Sequence, residues 1–172
     1  IDIGRVVRSF CESAGVSCDI EWDEESRIYG PAWYDFMASC RSMLGSESGS
    51  NVFDWDGTLD KEIAKYRQNN PAATDEDVER LFVANNEIPG IMNQISPKLF
   101  EAVAARTVMV LYEGTYSGVL QPEVHYISVK KDGSNLPEVL QKLMNGSLVD
   151  AMAERAYKDI LTSGRFSYQK FV

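Results

Sequence analysis

Residues Thr107-Val108-Met109-Val110-Leu111-Tyr112 form an almost unbroken apolar run. The run is far shorter than the ~20 residues a membrane-spanning helix requires, and it lacks the apolar–polar alternation of a strand with one wet face. What remains is a central strand of a parallel sheet, buried on both faces. Such a strand needs helical layers above and below, and crossovers of about a dozen residues or more to its neighbours.

The flanking sequence has the periodicities to supply them. Val6 to Cys11 reads as a helix halted by Gly15, and Cys18 to Trp22 alternates like a short strand. Pro31 opens a helix with Trp33, Phe36, Met37 and Cys40 at three- and four-residue spacing, running into a short strand at Met43-Leu44-Gly45. From Thr58 to about Ala84 the chain is polar and helical, broken at Pro71 and restarted at Thr74-Asp75-Glu76-Asp77, where Thr74 can cap. Ser96-Pro97 is a capping serine with proline at the first helical position, and Leu99, Phe100, Val103 and Ala104 make an inward stripe. His125 to Val129 is a further strand, with His125 in a structural role, and residues 136–144 and 148–161 are amphipathic helices. The expected fold is α/β: one unit over residues 1–172, a Rossmann-like parallel sheet flanked by helices, carrying an inserted helical hairpin at about 52–94. In such sheets ligands bind beyond the carboxyl ends of the strands. The loops at 45–51 and 113–118 and the helix start at 96–98 are therefore expected to share one crevice.

The segment Phe53-Asp54-Trp55-Asp56-Gly57-Thr58-Leu59 resembles the first motif of haloacid-dehalogenase-type phosphatases, which implies an aspartate nucleophile, an acid–base aspartate and magnesium. That chemistry needs a buried strand before the first aspartate, yet Gly49-Ser50-Asn51 leaves only Val52 and Phe53 to form it. It also needs further acids for the metal, and Asp132, Asp150 and Asp159 stand apart.

Residues 96–110, Ser-Pro-Lys-Leu-Phe-Glu-Ala-Val-Ala-Ala-Arg-Thr-Val-Met-Val, resemble the group 1 glycosyltransferases of the GT-B class. In that family the C-terminal, donor-binding domain carries a Glu-Ala-Met-Ala helix followed by a strand, and its glutamate holds the nucleotide's ribose; Glu101 matches it. The physical chemistry agrees. Ser96 and the open amides of the helix start offer donors and partial positive charge to a diphosphate, Lys98 adds a full charge, and Glu101 can accept two charge-assisted bonds from ribose hydroxyls. Its plain alternative is solvation of a helix surface. The family's earlier glutamate would fall on Asn93; Glu47 takes its place if residues 52–94 are an insertion, and it is the catalytic candidate beside the sugar. Tyr112, Glu113, Gly114, Tyr116, Ser117 and Gly118 complete the expected nucleotide-sugar contacts, with Tyr112 or Tyr116 stacking on the base.

The resemblance implies a transferase whose donor substrate is a nucleotide diphosphate sugar, with no covalently bound cofactor and no metal, in glycan or surface polysaccharide synthesis. It also implies an N-terminal acceptor domain absent here, so that this piece binds rather than turns over. The opening Ile1-Asp2-Ile3-Gly4 fits a processed piece of a longer protein. Net charge is −9, from 26 acidic and 17 basic residues, which disfavours nucleic acid as a partner. No membrane span is expected. Cys11, Cys18 and Cys40 are an odd number without metal-ligand spacing, and reduced thiols in a cytoplasmic setting are the reading they support. The remaining alternatives are the magnesium phosphatase built on Asp54 and Asp56 and a noncatalytic interaction module.

Overall fold

The computed structural model describes residues 2–49, 51–88 and 93–171; Ser50 of the expected 45–51 loop and residues 89–92 of the expected insertion lie outside the described residues. The elements in chain order are α1 (Asp2–Ala14), α2 (Pro31–Ser39), β1 (Ser42–Gly45), α3 (Thr58–Asn69), α4 (Asp75–Val78), α5 (Pro97–Ala105), β2 (Val108–Tyr112), β3 (Tyr126–Val129), α6 (Leu136–Met144), α7 (Gly146–Ala156) and α8 (Tyr168–Phe171). They fall into two compact units, one of residues 1–47 with 94–172 and the other of residues 48–93.

The larger unit is a Rossmann-like α/β arrangement around a three-stranded parallel sheet in the order β1-β2-β3. Ser42 pairs with Val108 and Gly45 with Leu111 on one side of β2; Met109 pairs with Tyr126 and Tyr112 with Val129 on the other. Alternate residues of β2 enter opposite layers, as the pleat requires. Met109 and Leu111 pack with Met37 of α2 and Leu99 and Val103 of α5. Val108 and Val110 pack with Val139 of α6 and Val149 of α7, and Val6 and Phe10 of α1 join that layer. The run begun by α7 continues through a π-helical turn, Tyr157–Thr162. Its Val149 and Met152 belong to one layer and its Ala156 and Ile160 to the other, so one helical run serves both.

A few polar contacts lock the layers together. Thr107 Oγ1, buried, donates to the Met37 carbonyl at 2.9 Å, tying the entrance of β2 to the end of α2. Arg41 donates through Nε and Nη2 to the Leu143 carbonyl at 3.2 and 3.0 Å, satisfying an acceptor in the last turn of α6. Arg106 ends α5 in the left-handed region at φ 56°, and its guanidinium lies 3.6 Å from the Tyr157 ring centre and pairs with Glu154 at 2.9 Å. His125 is buried; Nδ1 accepts from Gln121 N at 3.1 Å, and Nε2 lies 3.3 Å from Asp159 Oδ2.

Residues 18–22 are not a strand. Arg8 donates to the Ile20 carbonyl at 3.1 Å and pairs with Glu21 at 3.0 Å, while Arg5 and Arg8 both face the Trp22 ring. The segment is thus held to α1 by side chains rather than by a ladder.

In the smaller unit, Thr74 caps α4 in a full capping box with Asp77, Tyr66 of α3 packs on Phe82 with ring centres 5.2 Å apart, and an antiparallel bridge joins Val52 to Glu87. Among the described residues no helix is long and apolar enough to cross a membrane.

Two outcomes are expected. Thr107→Val removes the donor while leaving the Met37 carbonyl in place, and should cost about 1–3 kcal/mol in a urea titration. The second concerns acid. Hydrogen bonds from Thr74 hold the Asp77 carboxyl below its ordinary 3.8, and Lys142 and Arg106 hold Glu138 and Glu154 below 4.5. Carboxyls lowered in the folded state contribute stability that is present above their unfolded values and lost as pH falls through the folded ones. The melting temperature should therefore decline below about pH 4, and a chain equally stable at pH 3 and pH 6 would contradict it.

Candidate functional site

Beyond its last strand residue, β2 turns through residues 113–118, and the chain after β1 reaches the same place. Glu113 N still donates to the Val129 carbonyl at 2.9 Å, extending the sheet by one bond. The next amides turn to Glu47, two residues beyond β1: its Oε1 accepts from Thr115 N at 2.9 Å, Thr115 Oγ1 at 2.9 Å and Tyr116 N at 2.8 Å. Consecutive backbone amides converging on one oxygen are the geometry of an anion-binding nest. Here the anion is the chain's own carboxylate. Gly114 is part of the same fit, because a Cβ on it would lie 2.7 Å from Glu47 Cδ and 2.8 Å from Oε2. The loop's glycine makes room for an internal carboxylate.

Tyr116 corrects one expectation. It is fully buried, edge-on to Tyr126 with ring centres 5.3 Å apart, and its hydroxyl donates to the Tyr112 carbonyl at 2.5 Å, so it cannot stack on a base. Burial, then the neighbouring Tyr126 and Glu47, push its phenol well above the ordinary 10. Burial followed by Glu47 also raises Tyr126, opposed by the Gly114 backbone beside its hydroxyl. Tyr112 is half-buried, and Glu113, Gly114, Ser117 and Gly118 are exposed. Ser117 sits in the left-handed region at φ 54° and bridges to the lead-in of α5, donating to Gln94 Oε1 at 3.0 Å and accepting from Ile95 N at 3.1 Å.

Ser96 holds the N-cap position of α5 with Pro97 behind it, but its side chain makes no capping bond; the first turn is closed by Leu99 N donating to the Ser96 carbonyl at 3.0 Å. Along the helix, Glu101 Oε2 accepts from Trp33 Nε1 of α2 at 2.9 Å. Lys98 Nζ lies 5.8 Å from the centre of the same indole. Trp33 thus organises a cation and a carboxylate one turn apart. All three line a groove of about 1260 Å³ bounded by α1, α2, β1, α6 and residues 16–30, with Tyr29 and Tyr34 on its wall.

The single expected crevice is therefore resolved into two neighbourhoods. Glu47, Gly114, Thr115, Tyr116 and Ser117 gather at the carboxyl ends of β1 and β2, while Lys98 and Glu101 face the groove with Trp33. Thr115 and Trp33 were missed as site residues. Trp33 reads in the sequence as part of a helical stripe and as the end of the 22–33 stretch that the resemblance sets near the base, and nothing local to Thr115 marks a residue whose partner lies 68 positions away.

In the smaller unit, Asp54 Oδ1 accepts from Leu59 N at 3.1 Å and Oδ2 from Asp60 N at 2.9 Å, and Asp56 Oδ1 accepts from Thr58 N at 3.0 Å. Both aspartates serve the amino end of α3. Val52 before them makes an isolated antiparallel bridge rather than a sheet strand, and among the described residues no three His, Cys, Asp or Glu side chains form a metal-binding group.

Neither a family model nor a curated protein matches the chain. The Glu47 nest can be tested by itself. Glu47→Ala leaves its donors without their acceptor and Gly114→Ala forces a clash; each should lower stability by about 1–3 kcal/mol in denaturant. The double variant should lose less than the sum, since the two sites share one contact.

Proposed function

We propose that this chain is the nucleotide-sugar-binding portion of a GT-B, group 1-type glycosyltransferase, with a nucleotide diphosphate sugar as donor substrate. The observation that carries the reading is Glu101, fixed in orientation by Trp33 Nε1 at 2.9 Å on a helix that leads into the central strand. Its match to the family glutamate comes from the resemblance of residues 96–110.

The chemistry follows from that arrangement. The indole holds Oε2, leaving Oε1 to accept from vicinal ribose hydroxyls, and a side chain already immobilised loses little further entropy on binding. Lys98 and the amino end of α5 supply positive charge for a diphosphate. Tyr29 and Tyr34, on the wall of the same groove, offer faces on which a base can stack. Glu47, the candidate beside the sugar, acts in this reading by holding the 114–116 turn in shape. The acceptor site and the remaining catalytic groups belong to a further domain, so the isolated chain binds donor without transferring sugar.

Thermal shift with UDP, GDP and ADP and their sugar conjugates tests this. Ligand at 100 times its dissociation constant adds about 2.7 kcal/mol of stability, a rise of several degrees for a chain of this size. One nucleotide class should give the shift, Glu101→Ala should abolish it, and Trp33→Phe should reduce it. No shift at millimolar nucleotide overturns the proposal.

A further inference from the structure

The smaller unit carries a surface that the donor-binding reading does not use. The chain has three tryptophans, and two are faced by the protein's own cations: Trp22 by Arg5 and Arg8 at 5.9 and 5.4 Å, and Trp33 by Lys98 at 5.8 Å. Trp55 has no such partner among the described residues. It is 90% exposed, and it stacks on Phe53 with ring centres 5.4 Å apart and planes inclined by 11°.

Its surroundings suit a cation. Trp55 stands between Asp54 and Asp56, and residues 48–93 contain nine Asp and Glu against four Lys and Arg, so this quarter of the chain holds −5 of the net −9. Hydrogen bonds from Thr58 hold Asp56 below the ordinary carboxylate value, keeping it charged. The presentation is also ordered: Asp54 is clamped through both oxygens to the start of α3, and Gly57 takes the left-handed conformation at φ 71° that lets the helix begin there.

We propose that the Phe53–Trp55 stack, with Asp56 beside it, is a docking surface for a cationic segment of a partner polypeptide, which lays a lysine or arginine side chain on Trp55. An indole face attracts such a group through its ring quadrupole, the net negative charge of residues 48–93 raises the encounter rate, and Asp56, next to Trp55 in the chain, offers the polar contact. A neutral glycan could also stack on exposed aromatic rings, but it would draw nothing from the charge of this unit.

The test measures binding of a fluorescein-labelled eight-residue peptide of alternating lysine and glycine to the whole chain, at two salt concentrations. Trp55→Ala should weaken binding about three- to five-fold with no change in net charge. Trp55→Phe should retain most of the affinity, Asp56→Asn should weaken it and flatten its salt dependence, and the circular dichroism melt of each variant reports folding. Equal affinity for wild type and Trp55→Ala would mean that only diffuse negative charge attracts the peptide, and would overturn the proposal. So would Trp55-dependent binding of a neutral oligosaccharide alongside Trp55-independent binding of the peptide. Neither result depends on nucleotide binding at Glu101, so the two proposals fail separately.

Discussion

Strand β2 has no face toward water, and the larger unit is arranged around that condition. A strand apolar on both sides is stable only between two layers, so α2 and α5 must cover Met109 and Leu111 while α1, α6 and α7 cover Val108 and Val110. Parallel pairing follows, because each neighbouring strand must be reached by a connection long enough to cross the sheet. Even the polar exceptions serve the arrangement: the Thr107 hydroxyl is buried at the entrance to β2 because it satisfies a carbonyl at the end of α2.

The same topology creates the two polar neighbourhoods. Parallel strands direct their carboxyl ends to one edge, which brings Glu47 beyond β1 against the amides of the turn beyond β2. At that edge a protein either presents its amides to a ligand or satisfies them itself, and here Glu47 takes three donors. Glu101 is placed differently. It projects from α5 toward α2, where an indole donor orients it and Lys98 shares the indole's neighbourhood. The first arrangement stiffens a loop, and the second holds a carboxylate on the wall of a groove.

Much of the fold was legible because local chemistry and global demand agreed. Pro31 and Pro97 begin α2 and α5, Thr74 completes a capping box, Gly15 follows α1 at φ 67°, and the apolar run at 107–112 contains the central strand. The expectation failed at residues 18–22, where alternation suggested a strand but Arg5 and Arg8 reach across from α1 to hold the segment by its side chains. A ladder needs a neighbouring backbone, and periodicity carries no information about whether one is there. Ser96 failed in a smaller way, since its backbone takes the capping position without its hydroxyl making the bond.

The sequence alone determined the class of fold, the order of most elements and the apolar residues of the layers, because those depend on side-chain period, on proline and glycine geometry and on the burial of apolar surface. Only the tertiary structure decided what the polar residues do. Tyr116, in a loop that reads as ligand-binding, is core; Gly114 is small so that Glu47 can approach; Asp54 and Asp56, in a motif that resembles a nucleophile pair, cap a helix; and Trp33, one apolar residue in a stripe, orients Glu101. Each role is set by a hydrogen-bond partner or a close neighbour, several of them 68 or more positions away in the chain. A directional contact of a few ångströms exists only once the backbone has brought its two ends together.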